Sequence, residues 1–166
     1  MLEQLAKTTI TGLELRLRLL CETDIADVMN LEKSAHAYPW RQSSFEDCLK
    51  GRQKCWLAFS KDILCGLVVV THAGGDAEIL NISVSPSFQR RGIGRLLLQL
   101  AIEETQDKAE MLFLEVRRSN KKAIDLYTKE GFFEIGERKG YYPTANGHED
   151  AILMAYQLQI GAQLFS

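Results

Sequence analysis

The sequence predicts a mixed α/β protein, a mostly antiparallel sheet flanked by helices, and three observations carry that prediction. Between residues 13 and 20, Leu13, Leu15, Leu17 and Leu19 alternate with Glu14, Arg16 and Arg18, the period-two pattern of a strand with one buried face. Residues 55–84 hold three apolar, β-branched or aromatic runs parted by Ser60-Lys61-Asp62 and Gly74-Gly75-Asp76, which read as three consecutive antiparallel strands. From Ile93 the period becomes helical, with Ile93, Leu97, Leu100 and Ala101 on one face of a helix over residues 93–106. A chain of 166 residues, 46% hydrophobic and 25% charged, suits a single domain over residues 1–166 with its core at about 13–158.

The other elements follow in order. Thr23 or Asp24 caps a first helix whose Ile25, Val28 and Met29 share a face. A loop, His36-Ala37-Tyr38-Pro39-Trp40, leads to a second helix at Ser43-Ser44-Phe45-Glu46, which has Ser-x-x-Glu capping-box spacing. Residues 111–116 form a short apolar strand. Residues 120–130 are helical again, with Asn120 at the cap position and Ala123, Ile124 and Tyr127 together on one face. Residues 132–139, the turn signal Asn146-Gly147 and residues 151–158 make a final hairpin. The order β-α-α-β-β-β-α-β-α-β-β contains seven strands and four helices.

Composition excludes several classes. With 20 basic against 22 acidic residues, no broad basic surface is available to coat nucleic acid. Cys21, Cys48, Cys55 and Cys65 lack Cys-x-x-Cys spacing and sit among apolar residues, so they read as reduced core thiols; with the histidines scattered, no metal is expected, and His36 and His148 read as loop residues. Residues 1–11 lack the apolar stretch of a signal peptide, and no run approaches the roughly 18 apolar residues of a membrane span. A cytoplasmic protein is expected. A monomer is compatible with the sequence, and the tail, residues 159–166, has no assigned place.

The densest motif is Asn81-Ile82-Ser83-Val84-Ser85-Pro86-Ser87-Phe88-Gln89-Arg90-Arg91-Gly92-Ile93-Gly94-Arg95, a strand running through a loop into a helix N-terminus. Gly92 and Gly94 leave the backbone N–H groups of the first turn open, and those groups together with the macrodipole favour a phosphate. Arg90, Arg91 and Arg95 add positive charge at the same point. The motif is neither a Walker A loop nor the three-glycine dinucleotide fingerprint.

Gln89-Arg90-Arg91-Gly92-Ile93-Gly94 resembles the Gln/Arg-x-x-Gly-x-Gly/Ala signature of the GCN5-related N-acetyltransferases, and the order of elements agrees with that family over nearly the whole chain. The resemblance implies that Gln89, Arg90, Arg91, Gly92, Ile93 and Gly94 cradle the pyrophosphate of acetyl-CoA. It implies too that the sheet is splayed at a bulge, where the backbone of Ile82, Ser83 and Val84 meets the pantetheine arm and the acetyl carbonyl. Further segments, His36-Ala37-Tyr38-Pro39-Trp40, Leu114-Glu115-Val116-Arg117-Arg118-Ser119-Asn120, Ala123-Ile124-Asp125-Leu126-Tyr127, Gly131-Phe132, Tyr141-Tyr142-Pro143 and Glu149-Asp150-Ala151, resemble the branch of the family that acetylates the N-terminal alanine of a small-subunit ribosomal protein. On that resemblance Glu115 is the general base and Tyr127 the general acid, in direct transfer through a ternary complex. Asn120 contacts the cofactor as well as capping its helix.

Each demand of the reaction has a candidate. An α-amine of pKa about 8 needs only a modestly basic carboxylate, and Glu115 stands in an apolar strand where partial burial suits that task. Tyr38 and Trp40 on one side and Tyr141, beside Tyr142 and Pro143, on the other suit an extended peptide, as aromatics in mobile loops that exclude water. The N-terminal peptide of the ribosomal protein is the implied partner, with no direct contact to nucleic acid or membrane. The net charge of −2 then conceals two local fields, arginines at the phosphates and Glu32, Glu46, Asp47 and Asp150 lining the approach of a basic peptide. Two alternatives remain: another amine acceptor (lysine, another protein N-terminus, a polyamine or a small metabolite), or a non-catalytic acetyl-CoA sensor.

Overall fold

The protein, a computed structural model describing residues 4–159, begins with a strand absent from the sequence reading, β1 (Gln4–Thr8). It pairs antiparallel with β2 (Glu14–Leu19), whose Leu15 and Leu17 are buried while Glu14 is exposed. Among the described residues the sheet therefore has eight strands rather than seven.

Asp24 ends a short 3-10 turn and precedes α1 (Ile25–Ala35), yet it makes no side-chain cap. Its carboxylate instead accepts two hydrogen bonds from Arg18, at 2.7 and 2.8 Å, and one from the Cys21 N–H at 2.8 Å. The second helix, α2 (Gln42–Leu49), starts one residue before Ser43, so the anticipated capping box is not formed; Gln42 donates to Glu46 along the helix face at 2.8 Å. Both local signals lose to another partner nearby in sequence.

Next come β3 (Lys54–Ser60), β4 (Ile63–Ala73) and β5 (Asp76–Val84), joined by the two turns expected. Then follow α3 (Ile93–Thr105), β6 (Met111–Arg117), α4 (Lys121–Lys129), β7 (Phe133–Thr144) and β8 (Gly147–Gln157). Ile93, Leu97, Leu100 and Ala101 are all buried, as the period predicts. His148 lies in β8 rather than a loop, and Tyr141-Tyr142-Pro143 lies in β7. The strand order is β1-β2-β3-β4-β5-β6-β8-β7, with β5 and β6 parallel and joined through α3, the crossover that parallel neighbours require.

Contacts divide the chain into two compact units, one of residues up to Thr71 with Asn81–Ala101, the other of His72–Leu80 with residues from Ile102 onward. In the first, α1 and α2 turn Val28 and Phe45 inward, both fully buried, and Trp56, Leu57, Leu67, Val68 and Leu97 complete the core. Each such side chain contributes about 1.5–3 kcal/mol by leaving water. In the second, Leu112, Leu114 and Val116 of β6 stand opposite Tyr156, Met154 and Ile152 of β8.

The β5–β6 ladder runs only from Asp76 to Ile79 against Met111 to Leu114, so the amides of Ile82–Val84 lie outside it. At the sheet's edge, β7 is exposed along most of its length, Phe133 and Ile135 included, and its register slips twice, at Glu134/Gly136 and Arg138/Tyr142. Cys48, Cys55 and Cys65 are buried free thiols and Cys21 is half-buried. Among the described residues no helix is long and apolar enough to cross a membrane, and no group of three His, Cys, Asp or Glu is placed to hold a metal. Residues 160–166 of the tail and residues 1–3 lie outside the described part.

Candidate active site

In the first unit, the loop before α3 is wound by backbone conformation. Arg90 takes φ 64° and Gly92 φ 81°, and Gly92 O accepts the Leu96 N–H at 3.1 Å, so the amides of the first turn, Ile93 and Gly94 among them, precede the first intrahelical bond. A Cβ on Gly92 would stand 3.1 Å from Ile10 Cγ1 and 3.3 Å from Thr9 Cβ. Glycine is thus required twice over, by φ and by the approach of the β1–β2 turn. Gln89, Arg90 and Arg91 are exposed at this end, Arg95 is half-buried, and the Arg91 guanidinium lies 5.3 Å from the centre of the Phe88 ring. Open amides, a glycine-shaped backbone and clustered arginines form a donor set that fits a pyrophosphate.

A support for this loop escaped the sequence reading. The Leu13 N–H donates to Thr9 Oγ1 at 3.1 Å, the two threonine hydroxyls are 3.0 Å apart, and Thr11 Oγ1 donates to Arg91 O at 2.7 Å. Since the Thr11 proton goes to Arg91, Thr9 donates to Thr11. The chain of hydrogen bonds pins the Arg91 carbonyl from eighty positions away in sequence, a distance at which no local motif could have announced it.

The same unit holds Tyr38, Trp40 and the end of β5 with Ile82, Ser83 and Val84. Tyr38 is 47% exposed, whereas Trp40 is half-buried with its ring 5.4 Å from Phe45. Ser83 is buried, and its hydroxyl donates to Glu32 at 2.8 Å. Glu32 itself is 1% exposed and lines no peptide approach, which corrects that expectation. Of the other acids in that set, Glu46 accepts from Gln42, Asp47 pairs with Lys50 at 3.3 Å, and Asp150 takes the Gly140 N–H at 2.9 Å and faces Arg118 at 3.6 Å. Each of these carboxylates thus has a local partner.

In the second unit, Glu115 lies on the half-exposed face of β6 with Met111, Phe113 and Arg117. Its Oε1 is 3.3 Å from Arg138 Nη1 of β7. Glu78 is paired in register with Phe113, two residues before Glu115, so both carboxylates occupy one face of the sheet. Burial, then the Glu115 charge, holds the Glu78 carboxyl above its usual range, and Arg138 opposes the shift. Glu78 was missed in the sequence because its neighbours Ala77 and Ile79 carry only a strand signal.

Tyr127, on α4, packs 6.0 Å from the Phe132 ring, and burial pushes its phenol up to about 12. Asn120 caps α4 as expected, its Oδ1 accepting the Ala123 N–H at 3.3 Å. Tyr141 and Tyr142 meet edge to face at 4.9 Å; Arg138 covers the first ring at 4.9 Å and Arg117 the second at 4.6 Å. Arg117 also donates to Pro143 O at 2.7 Å and to Glu149 at 3.0 Å. The pair expected in a mobile loop is thus a braced part of a strand, with burial and then Glu115 pushing the Tyr142 phenol up to about 12.

Comparison with known proteins accords with this geometry. The model of the acetyltransferase (GNAT) family matches residues 25–132, which include the glycine loop, Glu115 and Tyr127. The chain belongs to the GNAT acetyltransferase family. The [ribosomal protein bS18]-alanine N-acetyltransferase of Salmonella typhimurium is 39% identical over 143 residues, covering 86% of this chain and 97% of that one. The enzyme of the same name from Escherichia coli (strain K12) is 36% identical over 139 residues, covering 83% and 94%. A crystal structure of the Escherichia coli ribosomal-protein-S18-alanine N-acetyltransferase superposes with a TM-score of 0.82 at 34% identity, covering 92% of this chain and 99% of its own. The GNAT chain thus has the mixed α/β architecture of eight strands and four helices in common with a solved relative.

Proposed function

We propose that this protein is an alanine N-acetyltransferase of the RimI type, transferring the acetyl group of acetyl-CoA to the N-terminal alanine of ribosomal protein bS18. The observation that carries the reading is the near end-to-end similarity to enzymes of that name, 97% of the Salmonella chain being covered. The whole chain then acts as a single cytoplasmic N-acetyltransferase domain. Acetyl-CoA is its co-substrate and supplies the activated acyl group; the rest of the chemistry falls to side chains and backbone of the protein.

The first-turn amides of α3 and the guanidinium groups of Arg90, Arg91 and Arg95 hold the phosphates, with Gln89, Gly92, Ile93 and Gly94 shaping the loop. Amides of Ile82, Ser83 and Val84, outside the β5–β6 ladder, supply donors to the pantetheine arm and to the acetyl oxygen, where charge develops during attack. Asn120 adds a contact from the start of α4. Tyr38, Trp40 and Tyr141 receive the first residues of the peptide.

Glu115 takes a proton from the amine, and Tyr127 faces the departing sulfur. An α-amine is easier for such a site than a lysine: its pKa is about 2.5 units lower, so its neutral fraction near pH 7 is roughly 300-fold greater. The Arg138 guanidinium against Glu115 is a cation that an incoming ammonium group replaces.

Incubation with acetyl-CoA and a synthetic peptide carrying the bS18 N-terminus, followed by mass spectrometry, tests the proposal. One acetyl group on the terminal alanine is expected. No gain on that peptide, with thiol released on another amine instead, would discard the acceptor.

A further inference from the structure

One buried carboxylate has no part in the chemistry above. Glu32, on α1, accepts the Trp40 backbone N–H on Oε1 at 3.1 Å; its Oε2 accepts Asn81 Nδ2 at 3.1 Å and the Ser83 hydroxyl at 2.8 Å. His36 Nε2 is 2.8 Å from Ser83 Oγ. With the serine proton directed at the carboxylate, the imidazole nitrogen is the donor, which fixes a proton on Nε2. All five residues belong to the first unit.

A carboxylate at 1% exposure is an expensive way to fill space, since an apolar side chain would pack there without desolvating a charge. What it adds is geometry. The two Glu32 oxygens divide their work, one holding the backbone of the loop that carries Tyr38 and Trp40, the other holding two alternate side chains of β5 that bracket Ile82. Trp40 is consequently fixed at both ends, its backbone to α1 and its ring against Phe45 of α2. Tyr38, two residues earlier, stands out at 47% exposure from a loop tethered at Trp40.

We propose that Glu32 is a positioning residue for the acceptor: it ties the Tyr38–Trp40 loop to the Asn81 and Ser83 side chains of β5, and so sets where the peptide's first residue rests relative to the acetyl group. This deepens the function proposed above and rests on it. Glu32→Met keeps the length but has no acceptor oxygen, so the loop loses its one bond to this side chain and Asn81 and Ser83 lose theirs.

The expected result is an acceptor KM raised about tenfold or more, the loss of one hydrogen bond to a charged group, with kcat within about threefold and acetyl-CoA affinity within about twofold. A lowered melting temperature with unchanged acceptor KM, measured well below the transition, would reduce Glu32 to a structural role and overturn the proposal. Amide hydrogen exchange on the wild-type protein supplies an arm that does not depend on the variant folding. The Trp40 amide is expected to be protected, and exchange there at the rate of an open loop overturns the tether. Should the bS18 peptide prove not to be the substrate, wild-type turnover of it would be absent while the exchange result stands, and the KM arm would be run with the amine that is acetylated.

Discussion

Replacing Tyr127 by Phe removes one oxygen and leaves the ring that packs against Phe132. Burial sets the phenol at about 12, while a cysteine-like thiol lies at about 8.5. Complete transfer of the phenolic proton to a departing thiolate is therefore uphill by about 3.5 units, about 5 kcal/mol at 1.36 kcal/mol per unit. The phenol is better suited to donate a hydrogen bond to the developing sulfur charge, a bond worth about 1.5–3 kcal/mol. Tyr127→Phe should accordingly lower kcat by about 10- to 150-fold and leave acetyl-CoA affinity within about twofold. A phenol at about 12 also keeps its proton throughout the assay range, so wild-type kcat should show no descending limb from Tyr127 below about pH 10. Thiol release from about pH 6 to 10, with calorimetric binding of acetyl-CoA, measures both. A loss of kcat smaller than about threefold, or a limb near pH 9 that disappears in the variant, would refute the reasoning.

Gly92→Ala forces a side chain into a left-handed backbone against Ile10 and Thr9; a stability loss of about 1–2 kcal/mol in urea titration and weaker acetyl-CoA binding are expected, and no change in either would contradict the cradle. The Arg18 guanidinium holds the Asp24 carboxyl below its ordinary value, with the Cys21 N–H assisting. A folded-state value below the unfolded one stabilises fully above about pH 4 and is lost as pH falls through the folded value. Asp24→Asn should then cost about 3–5 kcal/mol at neutral pH and flatten the acid decline of the urea midpoint, and an unaltered decline would count against the pair. Burial pushes the Cys65 thiol up to about 11, and the Cys48 thiol together with burial raises Cys55. Iodoacetamide on the native protein should therefore label half-buried Cys21 first; equal labelling of Cys55 or Cys65 by peptide mapping would show that the core opens.

Where function depends on contiguous residues, the sequence was legible. The glycine loop, the Asn120 cap, the two tight turns and the strand carrying Glu115 are each encoded within a few positions, and the structure places them as read. What could not be read depends on pairs far apart. Thr11 reaches Arg91, Glu32 reaches Ser83, and Arg138 reaches Glu115, none with a spacing that leaves a pattern. Strand β1 escaped because five residues reading Gln-Leu-Ala-Lys-Thr have little strand character without β2 beside them. Ser43 and Asp24 are the opposite failure, sound local signals displaced by rival local ones, a helix starting one residue earlier and an Arg18 guanidinium six residues away. Glu32 left the expected acidic approach for a related reason: composition counts carboxylates but not the donors each will find.

A twelve-residue strand on the rim of a sheet would ordinarily recruit any extended chain that met it. On β7 the exposed Phe133 and Ile135 supply the adhesive side chains, yet Glu134, Glu137, Arg138 and Lys139 interrupt them with charge, and Pro143 withholds an N–H. The two register slips further deny an incoming strand a flat ladder to copy. The bend that brings Arg138 to Glu115 and braces the tyrosines is therefore also a guard against self-templating. Removing two of these charges with Glu137→Val and Lys139→Val should cause aggregation, read by light scattering, before it causes loss of stability.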